Sequence, residues 1–265
     1  MGILDNLKQT YHRGSSLNKL IYINIAVFLA ITIVSIIAFL LRNSLITTGA
    51  INLLSVPSSF GSLLLRPWTV ITYMFTHKDI WHILFNMLWL YWFGTIFLEY
   101  LDQRKLVAVY LLGGLSGALV YVLSFNIFPA FKEVVSESVA IGASASVMAV
   151  VIAIAAYVPN YTINMLFIGR IKIIYVALVI FVLTSAVDFS VNSGGKLAHI
   201  GGALFGYLYT INLKKGHDTG KWINKIIDFF ATFFKPRRKL KVTYKKPKND
   251  YDYNRIKADR QAQIN

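Results

Sequence analysis

Residues 20–41 carry no charge over 22 positions, a run that few water-soluble folds can bury. As a helix rising about 1.5 Å per residue it is roughly 33 Å long, enough to cross the hydrocarbon core of a bilayer. It is too long for the apolar part of a cleavable leader, and Arg42-Asn43-Ser44 offers no small-residue cleavage site. Similar stretches follow at 81–98, 106–128, 140–158, 171–187 and 194–213. Charged residues make up 15% of the chain and mean hydropathy is +0.56, where a soluble domain has about a quarter of its residues charged. A cytosolic globular enzyme is excluded. The pattern predicts an all-α membrane protein with a six-transmembrane-helix bundle over 20–213. The fourth and sixth stretches are rich in Gly, Ala and Ser, which suits close packing between helices. With no cysteine, disulfides, thiolate metal sites and a cysteine nucleophile are excluded as well.

Charge placement gives an orientation. The segment 1–19 and the loops after the second and fourth stretches contain Lys8, Arg13, Lys19, Arg104, Lys105, Arg170 and Lys172. The tail 214–265 holds 15 of the 27 basic residues and 5 of the 12 acidic ones. The opposite side has only Arg42, Arg66, Lys78, Lys132 and Lys196. The positive-inside rule then predicts a multi-pass protein of the cell membrane with both termini cytoplasmic, a bacterial cytoplasmic membrane being the default. Residues 43–80 form a long outer loop between the first two helices, apolar enough to expect burial in the membrane. Within the tail, 221–234 sets Trp222, Ile223, Ile226, Ile227, Phe230, Phe233 and Phe234 near one side, which reads as an interfacial amphipathic helix. The rest, 235–265, reads as a disordered basic segment held near anionic lipid headgroups. No nucleic-acid recognition motif is present, so no nucleic-acid partner is expected.

Polar groups inside membrane spans are costly and point to function. His82 and Asn86 lie four apart on one helix face, Ser144 sits in Gly142-Ala143-Ser144-Ala145-Ser146, and His199 precedes Gly202 and Gly206. Singly, each has an ordinary explanation: an interfacial histidine, a serine packed among small residues, a glycine pair for helix contact. Together they differ, because the three helices run in the same direction. Asn86, Ser144 and His199 then all fall about 6–8 Å below the outer boundary. A hydroxyl, an imidazole and an amide at one level are the parts of nucleophilic acyl transfer. Metal ligation is not indicated and no cofactor is expected.

Over residues 20–213 the sequence resembles the rhomboid family of intramembrane serine proteases. The similar motifs are His82-x-x-x-Asn86, Gly142-x-Ser144 and Ala198-His199-x-x-Gly202-x-x-x-Gly206, together with Arg66-Pro67-Trp68 and Thr72-Tyr73-Met74-Phe75-Thr76-His77 ahead of the second helix. The resemblance implies a dyad of Ser144 and His199, with His82, Asn86 and the Ser144 N–H stabilising the oxyanion. It implies a structural role for His77. The family commonly has Gly after the nucleophile where this chain has Ala145, and the extra methyl is expected to crowd the oxyanion site. Gln103 likewise stands where the family often has Gly, at the cytoplasmic turn.

The implied partners are transmembrane protein substrates, cut near the outer face where the helix must first unwind. Asp188, at the outer end of the fifth stretch, lies near enough to be a partner for His199, but a helix-end role is the better account of it. Two other classes compete. A catalytically silent rhomboid-like protein binding transmembrane clients would be expected to lose Ser or His, and this chain has both. A small transporter would place its polar groups near span centres, not in the outer third.

Overall fold

The computed structural model describes residues 14–165, 169–234 and 250–262; the sequence readings for 1–13, 235–249 and 263–265 lie outside them. The chain divides into two units, Met1–Ile227 and Asp228–Asn265. In the first unit, α1 (Ser16–Leu40) begins where the Ser15 hydroxyl accepts the Asn18 N–H. Helix α5 (Ile80–Tyr100) begins at Asp79, whose carboxylate accepts the His82 N–H, and α6 (Gln103–Ile127) begins at Asp102, which accepts from Lys105. These side chains satisfy N–H groups that have no partner within the helix. The three helices are long and apolar enough to cross a membrane.

Three further helices complete the apolar body: α7 (Ser144–Tyr157), α8 (Ile173–Ser185) and α9 (Ser193–Lys214). Helix α7 is the centre, with buried residues all round its circumference from Ala145 to Ala155. Such a helix needs neighbours on every side, and α5, α6, α8 and α9 supply them. Small residues set the distances. A Cβ on Gly202 would lie 2.1 Å from the Ala145 carbonyl oxygen, and one on Gly206 2.3 Å from that of Ala149. The glycine pair therefore brings α9 into backbone contact with α7. By contrast, α1 leaves Leu29, Ile33 and Ile36 more than half exposed, as a lipid-facing helix does.

Three parts of the first unit differ from the sequence reading. The fourth stretch does not begin as a helix at residue 140. Val139–Ala140 is a short strand, β2, paired antiparallel with β1 (Val56–Pro57), and the helix starts at Ser144. Gly142, at φ +116°, makes the turn between strand and helix, a conformation that L side chains rarely adopt. Residues 43–80 are also more ordered than a loop: they contain α2 (Ser44–Leu54), β1, α3 (Phe60–Leu65), α4 (Thr69–Thr72) and a 3₁₀ turn at Tyr73–Phe75. Hydrogen bonds from Trp68 to the Leu53 carbonyl and from Thr72 to the Leu54 carbonyl fold the segment on itself. Between α7 and α8, Thr162–Met165 and Gly169–Lys172 pair as strands β3 and β4.

Helix α10 covers Lys221–Phe234, with Trp222 and Ile226 exposed. In the second unit a further helix, α11, covers Asp250–Ala262, within the segment that the sequence predicts to be disordered. Arg260 lies in its last turn, where a cation meets the negative end of the helix dipole.

Candidate active site

Three of the four residues directly ahead of Ser144 are held by the segment 43–80. Ala140 pairs with Val56, the Gly142 N–H donates to the Tyr73 carbonyl at 2.9 Å, and the Ala143 N–H donates to His77 Nε2 at 3.3 Å. A Cβ at Gly142 would meet His82 Nε2 at 2.6 Å, so glycine is required there for space as well as for φ. Ser144 then stands as the first residue of α7. Its backbone N–H is one of the N-terminal donors with no carbonyl to meet inside the helix, and the positive end of the helix dipole adds to it.

His199 lies on α9, beside the region where Gly202 closes on Ala145. Its Nδ1–H donates to the Thr184 carbonyl at 3.1 Å, which leaves Nε2 as the lone-pair nitrogen. Asp188 does not serve this purpose. Its carboxylate accepts from the Ser190 hydroxyl at 2.7 Å, and its backbone, at φ +47°, forms part of the turn before α9. A backbone carbonyl thus takes the place that a carboxylate would hold in a triad.

Asn86 is buried at the level where α5 meets this loop. Its side-chain amide donates to the His82 carbonyl at 2.9 Å and lies 3.3 Å from His77 Nε2. The rings of His77 and His82 meet edge to face with centroids 4.9 Å apart. His77 is fully buried, and burial followed by the nearby His82 pushes its pKa down to about 4. A neutral His77 with its Nδ1–H toward the Phe75 carbonyl is the form that can accept the Ala143 N–H.

Ser144, His199, His82 and Asn86 all line one cavity of about 510 Å³, together with Thr184, Trp81 and Phe85. The four residues singled out in the sequence are therefore brought together. Ser144 and His199 are not joined by a hydrogen bond in this arrangement, and such bonds often tighten only when substrate is present. Ala145 is not part of the cavity. Its methyl is buried and faces Gly117 of α6, where an added Cβ would come within 2.5 Å of it, so the expected crowding of the oxyanion site does not arise. Sequence reasoning missed Thr184, whose contribution is a backbone carbonyl, and understated His77, whose partner is 66 residues away.

Among protein families, the one described as "Rhomboid domain" matches residues 65–215. A similar protein is "RHOMBOID-like protein 12, mitochondrial" of Arabidopsis thaliana, 29% identical over 163 residues, a match covering 57% of this chain and 48% of that relative. The chain spans about half the length of the curated relative it matches.

Proposed function

Because the chain belongs to the rhomboid family, we propose that it is an intramembrane serine endopeptidase working through a dyad of Ser144 and His199. In this reading α1, α5, α6, α7, α8 and α9 are six membrane spans, both termini are cytoplasmic, and the cavity opens toward the outer face. The observation that carries it is the shared cavity. A serine at a helix N-terminus and a histidine with its lone pair free line the same space.

The chemistry follows from the geometry. Ser144 Oγ attacks a peptide carbonyl as His199 Nε2 takes its proton, and the Thr184 carbonyl keeps the imidazole in the required tautomer. The resulting oxyanion draws on the Ser144 N–H and His82, with Asn86 as a further donor. For Asn86 to turn toward the oxyanion it must release His77, which still holds the Ala143 N–H. His199 then protonates the departing amine, and water hydrolyses the acyl-enzyme.

The substrates are transmembrane segments of other proteins. Substrates enter laterally from the lipid between α5 and the α8 side; an apolar groove of about 520 Å³ lined by Trp89, Trp92, Ile163 and Val176 adjoins the cavity at Trp89 on its cytoplasmic side. Movement of α8 suits such entry better than movement of 43–80, which carries the anchors of the nucleophile. The amphipathic α10 and the basic tail lie on anionic lipid at the cytoplasmic face. A rhomboid-like protein that only binds clients is the competing reading. Labelling with a serine-directed fluorophosphonate decides between them: the wild type should label and Ser144→Ala should not. No labelling of a folded wild type would leave the client-binding reading.

A further inference from the structure

A second cavity, about 790 Å³, adjoins the one that holds Ser144 and has no part in the chemistry above. It opens between the end of α1, α2 and β2, and the two cavities share Lys78, Val139 and Ile141 as lining. Two cations face it, Arg42 and Lys78. Among the described residues neither side chain has a hydrogen-bonding or ionic partner. Ser44 and Thr47 add hydroxyls, and Ser44 opens α2, so the positive end of an 11-residue helix lies at the same place. No carboxylate lines this cavity. The neighbouring Asp79 lines the other one, where its carboxylate is engaged with the His82 N–H.

Two unpaired cations in a concave site with donors and no acid are arranged for an anion. The position says which. Val139 and Ile141 form a common wall leading to Ser144, so a substrate chain reaching the nucleophile in extended form continues along that wall into the second cavity. Val139 is five residues before Ser144 and the chain turns at Gly142, so the two are separated by less than the roughly 17 Å that five extended residues would span.

We propose that this cavity is a substrate subsite that takes the carboxylate of an Asp or Glu side chain about three to five residues from the scissile bond, with Lys78 and Arg42 as its specificity-determining residues. The inference rests on the protease reading above. An anionic lipid headgroup carries the same charge, and the test separates the two sources.

The full chain is reconstituted in liposomes of zwitterionic lipid, with and without an anionic lipid. It is given one transmembrane substrate into which a single Asp, or a matched Asn, is placed at successive positions on each side of the cut. At one position Asp should raise kcat/KM over Asn roughly fivefold, as one modest ion pair does. The preference should shrink as salt is raised and should not depend on anionic lipid. Lys78→Glu should reverse it, favouring Lys over Asp at that position, and Arg42→Gln should move the Asp-to-Asn ratio toward one. Equal cleavage of Asp and Asn substrates at every position overturns the subsite. So does a result in which both variants change only the response to anionic lipid, since the cavity would then hold a headgroup. Fluorophosphonate labelling is read in parallel. Labelled enzyme without Asp preference sinks the subsite alone, whereas neither labelling nor cleavage sinks the protease reading and the subsite with it.

Discussion

His77 Nε2 accepts the backbone N–H of Ala143 at 3.3 Å, so a side chain ahead of α5 fixes the residue directly before Ser144. The same nitrogen lies 3.3 Å from the Asn86 amide. The histidine is therefore a positioning residue: it hydrogen-bonds neither Ser144 nor His199, yet it holds the loop that presents Ser144.

The bond requires a neutral ring, which gives a pH dependence. The unfolded chain takes up a proton on this histidine below about pH 6.5, while the folded one, with its pKa pushed down to about 4 by burial and His82, does not. The unfolded state thus binds more protons between those values. Stability from this group is complete above about 6.5 and is lost as pH falls toward 4, about 3 kcal/mol in all. Unfolding in detergent followed between about pH 7 and pH 4 should show this slope, and His77→Asn should flatten it. The variant should also lose about 1–3 kcal/mol at neutral pH, because the Ala143 N–H is left buried without an acceptor. An unchanged slope in His77→Asn would assign the titration to other groups.

Ala145→Gly should not raise the rate. The methyl faces Gly117, away from the cavity, and its removal opens a small gap in a helix interior where Gly already costs roughly 1 kcal/mol against Ala. Turnover should stay within about twofold while unfolding moves to lower denaturant. Gly202→Ala should do far more damage, because its Cβ would press on the Ala145 carbonyl oxygen and force α9 away from α7. A loss of at least about 1–3 kcal/mol is expected. A faster Ala145→Gly enzyme would mean that the methyl reaches the reacting atoms after all.

Asp188→Asn should leave cleavage within about twofold of wild type, since Thr184, not Asp188, meets His199 Nδ1. The measurement is kcat/KM on one substrate across neutral pH. A drop toward about 10⁴-fold, the order seen when a triad carboxylate is lost, would return Asp188 to the site.

How much of this was legible in the sequence depends on the range of the interaction. Gly202 and Gly206 announced a close helix contact, because spacing within one helix determines which residues share a face. The convergence of Asn86, Ser144 and His199 could be read from depth along parallel helices. The direction of the Ala145 side chain could not. One helix position is a turn of about 100°, and the start of α7 lies four residues later than the hydrophobic run suggests. The run begins at Ala140 because β2 is apolar and buried on one side, and hydropathy does not distinguish a two-residue strand from a first helical turn. The order within 43–80 was hidden for a related reason. Its Leu-rich pieces are too short for periodicity to show, and its hydrogen bonds reach carbonyls such as those of Leu53 and Val135, which no side-chain pattern marks.

The last prediction concerns the four residues of the cavity. In the protease reading Ser144→Ala removes the nucleophile and His199→Ala the base, so each should abolish cleavage, and the double variant should be no worse, because residues acting as one unit are not additive. His82→Ala removes one oxyanion donor while the Ser144 N–H remains, a loss on the order of 10²–10³ in rate that leaves measurable turnover. In the protease reading Asn86 has two tasks, as oxyanion donor and as the group bonded to the His82 carbonyl and set against His77. Asn86→Ala should therefore cost activity and also stability, whereas His82→Ala should cost mainly activity. Asn86→Asp keeps the shape but exchanges a donor for an acceptor facing the same carbonyl, and should be the less active of the two Asn86 variants. Turnover of one transmembrane substrate and unfolding midpoint are to be measured on the same purified preparations. Wild-type cleavage by Ser144→Ala would end the protease reading. An Asn86→Ala variant with intact stability and full turnover would show that neither task matters.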